Sequence, residues 1–247
     1  MPNHELTGDV GIKADVGVIL PTYCEAQNIE GLITDIERLP LNISILVIDD
    51  SSPDKTAEIV RSLQKKYPNI LLCVRPQKSG LGTAITDGFK TYLSLKNSPR
   101  VIVTMDADYS HDPKAIPQLV HSIQPGVGVA VGSRYCRGGK IAGWPWTRKV
   151  ISRTANMAAN SFVGLKVRDC TSGFRCYSTQ FLKAAISSLH CQTYEIQIET
   201  LRQAVSRGFK VAEVPILFVN RKRGKSKLKS AEIQGFASYI LKSSKHG

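Results

Sequence analysis

The 247-residue chain predicts an α/β fold, a mostly parallel, doubly wound sheet with helices on both faces. Three observations carry this expectation. Runs at 16–20, 44–49, 70–74, 100–105 and 128–132 are short, apolar and β-branched, as strands covered on both faces must be. Between them lie patterns of helical period at 29–39, 56–67, 82–95 and 113–123. The connecting loops are short, and alternating strands and helices joined in this way build parallel sheets.

Taken in order, the first strand (VGVIL) runs into Pro21-Thr22-Tyr23-Cys24-Glu25, and the second (SILVID) into Asp50-Ser51-Ser52-Pro53-Asp54-Lys55-Thr56. The third (ILLCV) leads to Ser79-Gly80-Leu81-Gly82-Thr83-Ala84, and the fourth (RVIVTM) to Asp106-Ala107-Asp108-Tyr109-Ser110-His111. In open sheets of this kind the ligand sits beyond the carboxyl ends of the strands. Acidic and polar residues therefore converge on one rim. Past Gly132 the alternation breaks down. A helix at 147–163 carries Val150, Ile151, Ala155, Ala158, Ala159 and Phe162 on one stripe, and DCTSGFRCY (169–177) follows with no clear element. Helices near 180–188 and 195–206, a strand-like run at 210–219, a cationic loop and a helix at 231–241 complete the chain. No linker, repeat or low-complexity stretch interrupts it, so one domain over 1–247 is expected.

The net charge of +13 is unevenly placed: residues 1–125 carry −3 and residues 126–247 carry +16. Hydrophobic content of 42% and charged content of 21% belong to a folded globule and exclude wholesale disorder. No apolar run approaches the ~20 residues of a membrane-spanning helix. The N-terminus has no basic region followed by an apolar stretch, which predicts a protein on the cytoplasmic side. Six cysteines lie scattered without a C-x-x-C pair, the pattern of reduced thiols packed as small hydrophobes.

Asp106-Ala107-Asp108 sets two carboxylates directly after a buried strand, where they can share a divalent cation with a diphosphate. Hard oxygen ligands favour Mg²⁺ or Mn²⁺ over zinc. The glycines at 80 and 82 do not make a dinucleotide fingerprint, because Ile85 stands where the third glycine belongs. Gly224-Lys225-Ser226 likewise fails as a phosphate-binding loop, with Val219 at its first glycine position. Arg148 and Ser152 lie at i and i+4 on one helix face, a phosphate clamp in prospect. Both tryptophans of the chain stand just before that helix, in Trp144-Pro145-Trp146, where a membrane-boundary anchor and a buried structural role both fit. Residues 221–229 hold six cations, and the helix after them is amphipathic (Ile233, Phe236, Ala237, Ile240, Leu241). That pairing suits anionic phosphates at a bilayer surface, or a helix docking on a partner protein.

PTYCE (21–25), DDSSPDKT (49–56), GLGTA (80–84), DADYSH (106–111), GSRY (132–135), DCTSGFR (169–175) and GKSKL (224–228) occur in this order. Together they resemble the dolichyl-phosphate mannose synthases, inverting family 2 glycosyltransferases of the GT-A fold. The resemblance implies a nucleotide- and metal-binding half at 16–132, an acceptor half at 133–228 and a C-terminal amphipathic helix at 229–247. It implies transfer of mannose from GDP-mannose to dolichyl or another polyprenyl phosphate at the cytoplasmic face of a membrane. Pro21, Tyr23, Glu25, Ile48 and Asp50 would hold the guanosine and ribose; Asp106, Ala107 and Asp108 would carry the metal and diphosphate. Arg134, Arg148 and Ser152 would grip the acceptor phosphate, with Asp106, Asp108 and Arg134 at the reacting groups, and Arg221 and Lys227 would close over the sugar nucleotide. Ser110 stands where some relatives use glutamine as a third metal ligand. The acceptor phosphate is itself an anionic nucleophile, so no general base is assigned. Three other readings stay open: the same fold using UDP-glucose or another donor, a catalytic subunit docked on a small membrane protein, and a nucleic-acid-binding module drawn to the +16 half, although no nucleic acid is expected.

Overall fold

The computed structural model describes residues 5–163 and 166–220. In chain order these form β1 (Glu5–Thr7), β2 (Val16–Thr22), α1 (Ile29–Glu37), β3 (Ile43–Asp49), α2 (Thr56–Gln64), β4 (Ile70–Val74), α3 (Leu81–Ser94) and β5 (Val101–Thr104). Then come α4 (Ile116–His121), β6 (Val127–Ser133), β7 (Lys140–Ala142), α5 (Trp146–Val163), β8 (Arg175–Ser178), α6 (Thr179–Ala185), α7 (Ile196–Ser206), β9 (Lys210–Pro215) and β10 (Leu217–Val219).

An eight-stranded sheet in the order β1-β4-β3-β2-β5-β8-β6-β9 is the backbone of the molecule. β2, β3, β4 and β5 are parallel, with Val16 beside both Ile43 and Val101. The chain winds outward from β2 to β4, then crosses back through α3 to lay β5 on the other side of β2. That reversal opens a crevice beyond the carboxyl ends of β2 and β5, the place where doubly wound sheets take their ligands. Apolar side chains alternate between two faces. Ile29, Leu32, Val60 and Leu119 cover one face, and Ile85, Phe89, Phe181 and Leu201 cover the other.

The mostly parallel sheet is borne out, with one internal exception. DCTSGFRCY, which had no clear element, supplies β8, an antiparallel strand paired with both β5 and β6. Its periodicity was masked by Arg175, a charge at 0% exposure that donates to the carbonyls of Ser172 and Cys170 and to Thr200 Oγ1. The run at 210–219 also divides: β9 pairs with β6, whereas β10 pairs with β7 in a separate two-stranded sheet. The apolar stripe on α5 is only partly inward, and Ala159 is its buried member. Asn156 and Ala159 are the buried residues there, and Val150 and Ile151 are 50% and 68% exposed. All six cysteines are free thiols. The cationic loop from 221 onward and the helical pattern at 231–241 lie outside the described residues. Among the described residues no helix is long and apolar enough to cross a membrane.

Candidate active site

Three loops, each following a parallel strand, build the rim of the crevice. After β3, the neighbouring aspartates separate in role. Asp49 is fully buried and accepts from Thr22 Oγ1 (2.8 Å), Ser52 N (2.9 Å) and Ser52 Oγ (2.6 Å), so it ties the β2 and β3 loops together. Asp50 lines the cleft. The loop after β2 is fastened to the same structure: Cys24 N donates to Ser52 Oγ (2.9 Å) and Glu25 N to Thr56 Oγ1 (3.0 Å). Asp54 accepts from Ala26 N and from Thr56. Although partial burial pushes its pKa up, these hydrogen bonds hold it below the ordinary carboxylate range.

Arg75, the first residue after β4, sets the Asp50 carboxylate. The guanidinium is 2% exposed and donates from Nε to Asp50 Oδ1 (2.6 Å), and from Nη1 to Thr83 Oγ1 (2.8 Å) and Asp87 Oδ2 (3.1 Å). Burial opposes its charge, and the pairing with Asp50 and Asp87 overrides it, holding the group above its usual range. The glycine loop ahead of α3 serves protein packing. A Cβ on Gly80 would lie 2.4 Å from Gln192 O, one on Gly82 would lie 2.4 Å from Cys191 O, and Gly82 N donates to Gln192 O (2.9 Å).

Beyond β5 the chain turns through Asp106-Ala107-Asp108. Ser110 N donates to Asp108 Oδ1 (2.9 Å), and Tyr109 holds a left-handed φ of 58° with its hydroxyl on Asp35 Oδ2 (2.9 Å). The Asp106 side chain is 43% exposed, open to the cleft, while Asp108 is buried beneath it. His111 is enclosed between the rings of Phe174 (5.1 Å) and Phe218 (5.3 Å), and burial pushes its pKa down to about 4, so the imidazole is neutral. Its Nδ1 lies 4.0 Å from Asp106 Oδ2. Both His111 Nδ1 and Ser110 Oγ are buried without a hydrogen-bond partner.

Two carboxylates and the Ser110 hydroxyl are hard oxygen donors, and the neutral His111 imidazole stands beside them, a setting that fits a cation. Among the described residues no group of three His, Cys, Asp or Glu side chains could hold a metal by itself. The arrangement therefore fits an ion that takes its other ligands from a bound phosphate and water, the habit of Mg²⁺ and Mn²⁺.

On the other side of the cleft Arg134, next to the end of β6, is 8% exposed. It donates from Nε to Asp169 Oδ2 and from Nη2 to Asp169 Oδ1, both at 2.7 Å, and from Nη2 to Thr171 Oγ1 (2.6 Å). Burial opposes both charges, and the two-pronged pairing prevails: Asp169 is held below and Arg134 above its ordinary range. Arg148, in the first turn of α5, lies 4.1 Å over the Trp144 ring, and Arg134 lies 5.6 Å from the same ring.

Of the expected residues, the cleft brings together Pro21, Tyr23, Glu25, Asp50, Asp106, Ala107 and Asp108. Ile48 is not on its wall: the side chain is fully buried in the core and its carbonyl accepts from Thr22 Oγ1. Arg134 and Arg148 converge on Trp144, and Ser152 stands one turn along α5, half-buried. Arg221 and Lys227 lie outside the described residues. Arg75, Lys78 and Tyr194, which also line or set the cleft, went unread, as did the pairing of Asp169 with Arg134. Arg75 follows directly on a strand end, so the rim rule that selected Asp50 could have selected it.

Known proteins resemble this chain in sequence and in fold. Glycosyl transferase family 2 matches residues 17–185. The chain is 36% identical over 219 residues to the polyprenol monophosphomannose synthase of Mycolicibacterium smegmatis, covering 88% of this chain and 82% of that protein. It is 38% identical over 232 residues to the dolichol-phosphate mannosyltransferase of Pyrococcus furiosus, covering 92% of this chain but 63% of that protein. Among solved structures, glucosyl-3-phosphoglycerate synthase from Mycobacterium tuberculosis in complex with Mn²⁺, UDP and glucosyl-3-phosphoglycerate superposes with a TM-score of 0.65 at 18% identity, over 93% of this chain and 78% of that one. A mannosyltransferase from Pyrobaculum calidifontis in complex with GDP-Man and Mn²⁺ gives 0.60 at 16% identity, over 98% and 76%. At such identities these structures speak for the fold, which is the GT-A arrangement. With the family match spanning most of the sheet and two relatives above 35% identity, this chain belongs to glycosyl transferase family 2.

Proposed function

We propose that this protein transfers mannose from GDP-mannose to a polyprenyl phosphate such as dolichyl phosphate, with inversion at the anomeric carbon. The observation that carries the reading is the convergence of a two-carboxylate turn and a two-arginine patch on one aromatic stack. His111, 4.0 Å from Asp106, packs on Phe218 (5.3 Å), Phe218 packs on Trp144 (5.1 Å), and Arg134 and Arg148 lie over Trp144. A donor with a diphosphate leaving group and an acceptor that is itself a phosphate need such an arrangement. The names of the two relatives support it further.

Asp50, fixed by Arg75, and Tyr23 hold the nucleoside end of the donor in the cleft. Asp106 and Asp108 are the residues that would hold Mg²⁺ or Mn²⁺, which when bound neutralises charge on the departing diphosphate. Arg134 and Arg148 hold the acceptor phosphate, which arrives as an anion and needs no base. One of its oxygens forms the bond to the anomeric carbon as the bond from that carbon to the diphosphate breaks, and GDP leaves. Alignment and charge neutralisation are the protein's contributions.

The outer face of α5 is the proposed membrane contact. Trp146, Ile151 and Met157 are 75%, 68% and 67% exposed, beside Arg148, Lys149 and Arg153, a composition suited to an anionic interface. The test is direct. Purified protein with Mn²⁺, labelled GDP-mannose and dolichyl phosphate should move label into organic solvent, and UDP-glucose should not substitute. Absence of transfer in detergent and in vesicles would overturn the proposal.

A further inference from the structure

We infer that Trp144 is a positioning residue of the acceptor clamp, its indole holding the Arg134 and Arg148 guanidinium groups against one ring so that both face one phosphate. The inference rests on the acceptor reading given above. Arg134 comes from the end of β6 and Arg148 from the first turn of α5, so no single element sets their spacing. Like charges brought together repel. Asp169 offsets the charge of Arg134, and the ring offers both cations a π face, at 5.6 Å for Arg134 and 4.1 Å for Arg148. Separations within about 6 Å are attractive, and indole is the strongest such face.

Two further observations separate this role from simple filling of space. Trp144 Nε1 is buried with no hydrogen-bond partner, although a packed indole normally finds one. A leucine or phenylalanine would fill the same space without a stranded donor, so packing does not account for tryptophan at this position. The ring is also fixed relative to the carboxylates. It packs edge-on against Phe218, which β10 holds in register opposite Ile141 and which bridges to His111 beside Asp106. Movement of Trp144 would thus shift the acceptor cations relative to the Asp106 turn.

The test compares Trp144→Leu and Trp144→Phe with the wild-type protein, using farnesyl phosphate as acceptor and GDP with Mn²⁺ as the donor-site probe. Loss of the π face should raise the acceptor KM about 10-fold in Trp144→Leu and about 3-fold in Trp144→Phe, following the spread of cation–π energies. GDP affinity should stay within about 2-fold, since Asp50, Arg75 and Asp106 are untouched. In a Trp146→Phe background Trp144 is the sole indole, and saturation with farnesyl phosphate should shift its emission while farnesol should not. An unchanged acceptor KM in Trp144→Leu, or equal losses of GDP and acceptor affinity, overturns the platform alone. If Trp144→Leu does not fold, Trp144→Phe and the emission titration decide, and no spectral response at saturation overturns the inference. A wild-type protein that binds GDP but no polyprenyl phosphate overturns the acceptor reading and the platform with it.

Discussion

The proposed donor rim and the proposed acceptor helix are built on opposite plans. Among the described residues, the four non-glycine positions with left-handed φ are Cys24, Ser51, Lys55 and Tyr109, all in loops beyond β2, β3 and β5. Each such conformation costs on the order of 1–3 kcal/mol and persists only where surroundings enforce it. Three of the four are enforced here by the bonds of Cys24 N to Ser52 Oγ, Ser51 Oγ to Arg75 O (2.6 Å) and Tyr109 to Asp35. On α5, by contrast, Asn156 and Ala159 are the fully buried side chains, and Trp146, Ile151 and Met157 stand out from the surface. The difference teaches that the cleft rim is held by its own hydrogen bonds, whereas α5 leaves large apolar side chains uncovered.

The hardest test of this contrast is the buried Arg134–Asp169 pair on the acceptor side. Arg134→Met leaves the Asp169 carboxylate unpaired at 0% exposure and should destabilise the fold by about 3–5 kcal/mol in urea titration. A loss below about 1 kcal/mol would mean that the acceptor side is as loosely held there as along α5. On the rim, Asp106→Asn should lower transfer roughly 100- to 1,000-fold with little change in melting temperature, because that side chain is half-open to the cleft. Unfolding in step with the lost activity would show that the turn is not rigid on its own.

Acid sharpens the comparison further. Asp169 has a folded pKa below its ordinary value, so the stability it contributes is present above the unfolded carboxylate pKa and lost as pH falls through the folded one. Melting temperature should therefore decline as pH falls below about 4, and Asp169→Asn should flatten that part of the profile while starting from a lower value. The smallest effect belongs to α5. Ile151→Ser should change folding stability by about 0.5 kcal/mol or less, yet weaken sedimentation with anionic vesicles several-fold. A folding loss above 1 kcal/mol would place protein, not lipid, over this face.

The parallel half of the sheet and the Asp106–Asp108 turn were legible because buried strands and their terminal carboxylates are local patterns. The acceptor side was harder to read. β8 escaped because Arg175 satisfies its charge on carbonyls three and five residues before it and on Gln197 and Thr200 of α7, and the partnership of Arg134 with Asp169 spans a separation that no periodicity encodes. Of the described stripe residues on α5 only Ala159 is buried. An amphipathic pattern reports that a helix has two faces, and the hydrogen bond that Cys170 N donates to Asn156 Oδ1 (2.7 Å) draws a polar residue inward together with Ala159. Arg75 was hidden in the same way as Asp169, its meaning lying in Asp50 and Asp87.

The antiparallel insertion of β8 also has a consequence for biosynthesis. β5 is complete at Thr104, but the strand that covers its free edge is not made until Ser178. At roughly 5–20 residues per second, a nascent chain carries that unpaired edge, and the Asp106 turn beyond it, for several seconds. Exposed edges of this kind invite pairing with other chains. Fragments that stop short of residue 175 should therefore aggregate, and the emerging protein depends on its late-made segment to close the sheet beneath its own chemistry.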